Sequence, residues 1–239
     1  MQFTQELTVG EVAAAEPASI RVFESLGIDY CCGGKRGLAD ACLRIGITVD
    51  DLIARIAEAE QNTHAPAAAL WASAPLETIV RHIVERHHAY IRREAPRIQG
   101  LLEKVIARHG YAHPEITQIR DLFATATQEL LAHMMREEQV LFPYIARTEE
   151  AANAGQRLPR ALFGSVATPI ARMVAEHDDA GTLFSEMSRL SRGYAPPEGV
   201  CPTFRALYQA LAEFERDLHE HVHLENNILF PRALVLERG

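Results

Sequence analysis

Two segments 88 residues apart, HMMREEQVLFP from His133 and HVHLENNILFP from His221, agree at His, Glu, Leu, Phe and Pro. A His and a Glu four residues apart share one helix face about one turn from each other. Each segment can therefore offer one imidazole and one carboxylate to a common point. His88 and His177 form a further related pair, 89 residues apart. The set then holds four imidazoles (His88, His133, His177, His221) and two carboxylates (Glu137, Glu225). A single zinc takes about four ligands and calcium takes oxygen, whereas six N/O donors suit two transition metals bridged by the glutamates, with positions left open. That composition favours iron over zinc.

Helices must position these groups. Ile119, Phe123, Ala126, Leu130, His133, Glu137 and Val140 follow alternating steps of four and three, the spacing of a bundle seam. Leu207, Leu211, Phe214, Leu218, His221, Glu225 and Ile228 repeat it. Val80, Val84, His88 and Ile91, and Ile170, Val174, His177, Gly181 and Phe184, each place one histidine in a comparable seam. Gly181 leaves room one turn beyond His177. Mutually satisfied polar groups could explain a single such pair. Duplication in seam positions, where a lone carboxylate is costly to desolvate, argues for metal instead.

The patterning predicts four long helices near 76–95, 114–146, 164–190 and 203–231, with a separate helical piece at 98–108 beyond a break at Pro96. No segment alternates like a strand. Thr8 to Glu11 and Thr48 to Asp51 read as capping boxes of a small helical module, punctuated by Gly27 and Gly37. The Ala-rich text EAEQNTHAPAAALWASAP, from Glu58 to Pro75, reads as a linker docked by Trp71.

Cys31 and Cys32 are adjacent, followed by Gly33 and Gly34 and then by Lys35 and Arg36, whose charge is expected to favour thiolate. Reactive thiols follow from that reading. Cys42 and Cys201 stand alone and read as structural. Among the remaining histidines, His82, His219 and His223 lie off the ligand faces and read as surface groups or as supports behind the ligands. His87, His109 and His113 are expected to face solvent or sit in loops, and His64 falls in the linker. Glu129 and Asp217, each one turn before a candidate ligand histidine, could accept its free ring N–H. Glu138, one residue off the seam, is expected to be irrelevant to the metal.

With 24 basic and 32 acidic residues the formal charge is -8, which disfavours nucleic acid and anionic membranes as partners. No apolar run approaches a bilayer span, and no secretory leader is recognisable, so a cytoplasmic protein is expected. Four cysteines, two of them adjacent, do not form a disulfide framework.

The motifs DYCCGGK (Asp29 to Lys35), HMMREEQVLFP and HLENNILFP resemble the iron-sulfur cluster repair family known as repair of iron centres, over nearly the whole chain. The C-terminal part resembles the hemerythrin-like four-helix domain. The resemblance implies an all-α protein: a small helical domain at 1–60 with the vicinal cysteines, a linker at 61–75, and a di-iron bundle at 76–239. It also implies His88, His133, His177 and His221 as terminal ligands of two iron ions and Glu137 and Glu225 as bridges. Four histidines rather than the five of oxygen-carrying hemerythrins speak against simple oxygen transport. Repair of iron-sulfur proteins damaged by oxidants or nitric oxide is the implied function, and the Cys31 and Cys32 thiolates could receive iron, exchange nitrosyl groups or be oxidised. A di-iron nitric oxide reductase and an oxygen or redox sensor are the alternatives.

Overall fold

The computed structural model describes residues 7–61, 71–158, 161 and 163–238, and the described elements are helical. Four short helices come first: α1 (Val9–Ala15), α2 (Ala18–Leu26), α3 (Leu38–Ile45) and α4 (Val49–Gln61). Both capping boxes form. The Glu11 N–H donates to Thr8 Oγ1 at 3.2 Å while the Thr8 N–H donates to Glu11 Oε2 at 2.8 Å. Thr48 and Asp51 exchange the same two bonds at 3.0 and 3.2 Å. Gly27 ends α2 at φ 67°, a left-handed conformation that glycine adopts without strain.

The bundle consists of α5 (76–109), α6 (115–153), α7 (Ala167–Leu190) and α8 (202–238). Helix α5 packs against α6 and α8, and α6 packs against α7. Pro96 does not break α5. It removes one backbone donor, but Ile91, Ala95, Ile98, Leu102 and Val105 form one buried stripe on both sides of it and carry the helix through. Helices α6 and α8 also extend beyond the expected ends, to Asn153 and Arg238.

Three of the four helices widen into a π-helical turn: Ile83–His88 in α5, Glu137–Leu141 in α6 and Leu224–Leu229 in α8. A π turn accommodates one extra residue, so the buried face moves by one position beyond it. The expected seams are corrected accordingly. In α6 Leu141 is buried and Val140 is 47% exposed, although an unbroken α pattern places Val140 inside. In α5 the buried positions are Leu76, Ile79 and Ile83, then His87 and His88 together in the π turn, while Val80 and Val84 are only half-buried. Helix α7 stays α-helical, and there Met173 and Ala180 bury more fully than Val174 and Gly181.

The core has two apolar clusters. One joins Val9, Phe23, Leu38 and Leu52 of the small helices, and Tyr30 between α2 and α3, to Phe123, Phe184, Leu211 and Phe214 of the bundle. The other gathers Ile79, Ile83, Leu141, Phe142, Leu229 and Phe230 at the opposite end. The N-terminal helices thus share a core with the bundle. Gly10 and Gly34 permit the closest approach, since a Cβ at either would collide with the Asn227 side chain of α8. The proposed linker falls largely on residues 62–70, His64 included, outside the described residues. At its end Trp71 lies 4.4 Å from the His82 ring, and its carbonyl accepts from Arg232 Nη1 at 3.0 Å.

Tyr30 is the main side chain at this junction. It is 1% exposed and sits edge-on to His223 at 5.6 Å and to His219 at 6.3 Å. Replacing it by alanine should lower the unfolding free energy by about 3 kcal/mol, the usual cost of deleting a buried aromatic ring. Urea denaturation of the full chain measures this, and a loss below about 1 kcal/mol would mean that the small helices do not stabilise the bundle.

Candidate metal centre

Between the two apolar clusters lies a polar layer made of the six expected residues. His88, Glu137, His221 and Glu225 are 0% exposed, His177 1% and His133 2%. Their ligand atoms form two groups, each within 4.8 Å: His88, Glu137, His221 and Glu225, and His133, Glu137, His177 and Glu225. Both carboxylates belong to both groups. Glu137 turns Oε2 toward His88 Nε2 at 3.5 Å and Oε1 toward His133 Nε2 at 3.3 Å. Glu225 turns Oε1 toward His221 Nε2 and Oε2 toward His177 Nε2, both at 3.0 Å. Each carboxylate therefore divides its two oxygens between two histidine pairs.

The Nε2 atoms of His88 and His221 are 3.2 Å apart, and those of His133 and His177 3.1 Å. Their ring partners show which nitrogens carry hydrogen. His88 Nδ1–H donates to Glu138 Oε1 at 2.7 Å, His133 Nδ1–H to Glu176 Oε2 at 2.8 Å, and His177 Nδ1–H to Asn226 Oδ1 at 2.9 Å. A neutral imidazole that donates from Nδ1 presents a lone pair at Nε2. Lone pairs facing each other at such distances require a cation or added protons between them. Glu137 Oε1 and Oε2 and Glu225 Oε2 reach the nitrogens at ion-pair distance but make no hydrogen bond among the described residues. Six buried donors, with orphaned oxygens between them, fit a pair of metal ions.

Electrostatics agree. Burial alone would lower the His133 pKa, but the carboxylates of Glu137, Glu225 and Glu176 hold it up at about 9. His88 is raised in the same way, against burial, by Glu137, Glu225 and Glu138. Burial opposes ionisation of Glu225, yet His221 and His177 hold its carboxyl well below the usual range. Glu137 is lowered too, against burial and the Glu225 charge, by His133 and His88.

The supports behind the ligands differ from expectation. Glu129 is exposed, and Asp217 pairs with His87 Nδ1 at 3.2 Å instead of with His221. The acceptors come from neighbouring helices, because a ring reaching across the bundle turns its Nδ1 toward the helix beside it. Glu138 is one of them, held also by Arg92 at 2.7 Å, so its position off the seam does not make it irrelevant. Glu176, adjacent in sequence to His177, serves His133 and is fixed by Arg136 at 2.6 Å and Arg172 at 2.9 Å. His87 is buried and stacks on His221 at 5.6 Å instead of facing solvent. His223 is buried as well. The repeated phenylalanines close the layer, Phe142 over His88 at 5.8 Å and Phe230 over His177 at 6.2 Å.

The vicinal cysteines lie beside this layer. Cys32 Sγ–H donates to the His177 carbonyl at 3.4 Å and sits in the space that Gly181 leaves, where a Cβ would come within 3.2 Å of the sulfur. Cys31 is buried, 3.9 Å from Cys32 Sγ and 3.4 Å from Asp29 Oδ1. The neighbouring Cys32 thiol, burial and the Asp29 charge push the Cys31 thiol well up, the reverse of the expected activation. Arg36 pairs instead with Asp40 at 3.4 Å. Beside both thiols opens a cavity of about 1230 Å³ that also reaches His219 and Glu215. Cys42 is buried. Cys201 caps the start of α8 and lies 3.2 Å from His109 Nε2, and the backbone N–H groups of Phe204 and Thr203 lower its pKa.

The hemerythrin HHE cation binding domain matches residues 79–233, and the ScdA_N domain, described as a domain of unknown function, matches residues 5–60. Iron-sulfur cluster repair protein YtfE of Pectobacterium carotovorum is 37% identical over 235 residues, covering 96% of this chain and 97% of that protein. The protein of the same name from Yersinia pestis is 35% identical over 227 residues, covering 95% and 96%. The chain belongs to the YtfE family of iron-sulfur cluster repair proteins. The six-residue layer lies within the matched hemerythrin domain.

Glu137→Ala or Glu225→Ala should abolish binding of a second metal ion, since each removes an oxygen from both groups. Glu138→Ala should keep two ions but weaken their binding by about tenfold or more, the usual effect of losing the partner of a ligating histidine. Elemental analysis after dialysis against a chelator separates these cases, and equal loss in all three would contradict the division of oxygens. Protons on His88 and His133 must also leave when metal binds, so loading should release protons at about pH 7 and apparent affinity should rise with pH toward about 9. Calorimetry in buffers of different ionisation enthalpy tests this, and pH-independent binding would contradict it.

Proposed function

We propose that this protein restores iron-sulfur clusters damaged by oxidants or nitric oxide, acting in the cytoplasm from a di-iron centre. His88, His221, Glu137 and Glu225 would hold one iron, and His133, His177 and the same two glutamates would hold the other. The carrying observation is that each buried carboxylate offers one oxygen to each histidine pair. The relatives' names support the repair activity. No helix among the described residues is long and apolar enough to cross a membrane, and the four cysteines are free, which suits a reducing compartment.

When bound, the iron pair supplies exchangeable metal and open positions for nitric oxide or oxygen. The chain's own residues set the conditions. Glu138, Glu176 and Asn226 keep three Nδ1 atoms protonated and so direct three Nε2 lone pairs inward. Phe142 and Phe230 shield the layer from the far end of the bundle. Cys32 Sγ touches the His177 carbonyl and lies 3.9 Å from Cys31 Sγ, and the cavity beside both thiols supports a role for them in receiving iron or nitrosyl.

The test uses the full chain loaded with iron without oxygen and mixed with a protein whose cluster has been damaged. Cluster recovery matched by iron lost from this chain supports donation, and recovery with nitrosylated Cys31 or Cys32 supports nitrosyl removal. A Cys31→Ala/Cys32→Ala double variant should keep two iron ions and lose recovery. Full recovery by that variant would remove the thiols from the mechanism, and no recovery by the wild-type chain would overturn the repair reading.

A further inference from the structure

The two halves of the metal layer have different surroundings. In the His88–His221 half, His88 Nδ1–H is held by Glu138, which is 27% exposed, while His221 Nδ1 has no hydrogen-bond partner among the described residues. In the His133–His177 half, His177 is gripped twice by the cysteine loop. Its carbonyl accepts from Cys32 Sγ–H at 3.4 Å. Its ring donates to Asn226 Oδ1 at 2.9 Å, and Asn226 Nδ2–H donates in turn to the Cys31 carbonyl at 3.5 Å.

This chain of bonds has a direction. A peptide carbonyl only accepts, so the Cys31 carbonyl requires the NH2 end of Asn226 and turns its oxygen toward His177. That oxygen only accepts, so His177 must carry hydrogen at Nδ1 and present its lone pair at Nε2, toward Glu225 and the metal position. The next residue, Asn227, anchors the same loop through Nδ2–H to the Tyr30 carbonyl at 3.0 Å without touching a candidate ligand. Both asparagines sit in the π-helical turn of α8 that also carries Glu225.

We propose that Asn226 is a positioning residue that ties the seating of the cysteine loop to the His133–His177 half alone. Iron in this half is held while the loop is seated and leaves faster once the loop is displaced, so a client or oxidant engaging Cys31 and Cys32 loosens one iron and not the other. The inference rests on the six-residue metal reading proposed above.

The experiment compares the wild-type chain with Asn226→Ala, which cuts the link, and with Asn227→Ala, which loosens the loop and leaves the link's own atoms in place. Iron-loaded full-length proteins are challenged with a chelator, and the rate of Cys32 alkylation is followed in parallel. Both variants should alkylate faster and should lose one of two irons faster, Asn226→Ala by about tenfold or more, with the other iron leaving at the wild-type rate. Equal acceleration of both irons, or faster alkylation with unchanged iron loss, would overturn the proposal. Nitrogen NMR of the His177 ring in the metal-free chain separates this proposal from the metal reading. Asn226→Ala should convert the Nδ1–H tautomer to a mixture, and an unchanged tautomer overturns the proposal whether or not iron loads. Failure of the wild-type chain to load iron, with the tautomer change present, sinks the metal reading alone.

Discussion

Two fully buried carboxylates, Glu137 and Glu225, are the constraint on which the rest of the bundle depends. An ionised carboxylate taken out of water costs several kcal/mol even after the protein relaxes around it. Among the described residues neither one has a lysine or arginine partner, and the compensation comes from four imidazoles brought in by four different helices. A layer of this kind needs every helix in register, which gives the hemerythrin-type architecture its geometric purpose. Apolar packing above and below then holds the layer dry.

The π-helical turns reconcile two demands. The apolar seam must stay buried along each helix, yet the ligand residues must aim at one point in the middle of the bundle. One extra residue in α5, α6 and α8, at or beside His88, Glu137 and Glu225, rotates each helix so that both demands are met. Helix α7 keeps its regular form and offers Gly181, so its irregularity lies in an absent side chain, and Cys32 fills the gap.

Docking of the small helices makes the cysteines part of the metal layer's surroundings. The neighbouring Cys32 thiol, burial and Asp29 push the Cys31 thiol well up and so disfavour its thiolate while the loop is seated. Reactivity then belongs to a displaced loop or to a thiol already in contact with metal or nitrosyl. Asn226 and Asn227 hold that loop through the Cys31 and Tyr30 carbonyls.

The all-α class, the duplicated His-x-x-x-Glu helices and the six-residue set were legible in the chain, because helical spacing alone puts His133 with Glu137 and His221 with Glu225 on one face. Capping boxes at Thr8 and Thr48 were equally legible, being local interactions over three residues. Positions that depend on contacts between helices were not. Whether Val140 or Leu141 faces inward turned on a π turn that periodicity of 3.6 cannot register. Glu138, Glu176 and Asn226 were missed as supports since the partner of each ring nitrogen lies on another helix, 50, 43 and 49 residues away. The state of Cys31 ran against its basic neighbours in sequence because the Cys32 thiol, burial and Asp29 outweigh Lys35 and Arg36 once the loop is docked. The sequence by itself determined which groups could meet a metal, through spacing along each helix, and tertiary packing decided what stands behind them, since hydrogen bonds and burial follow distance in space.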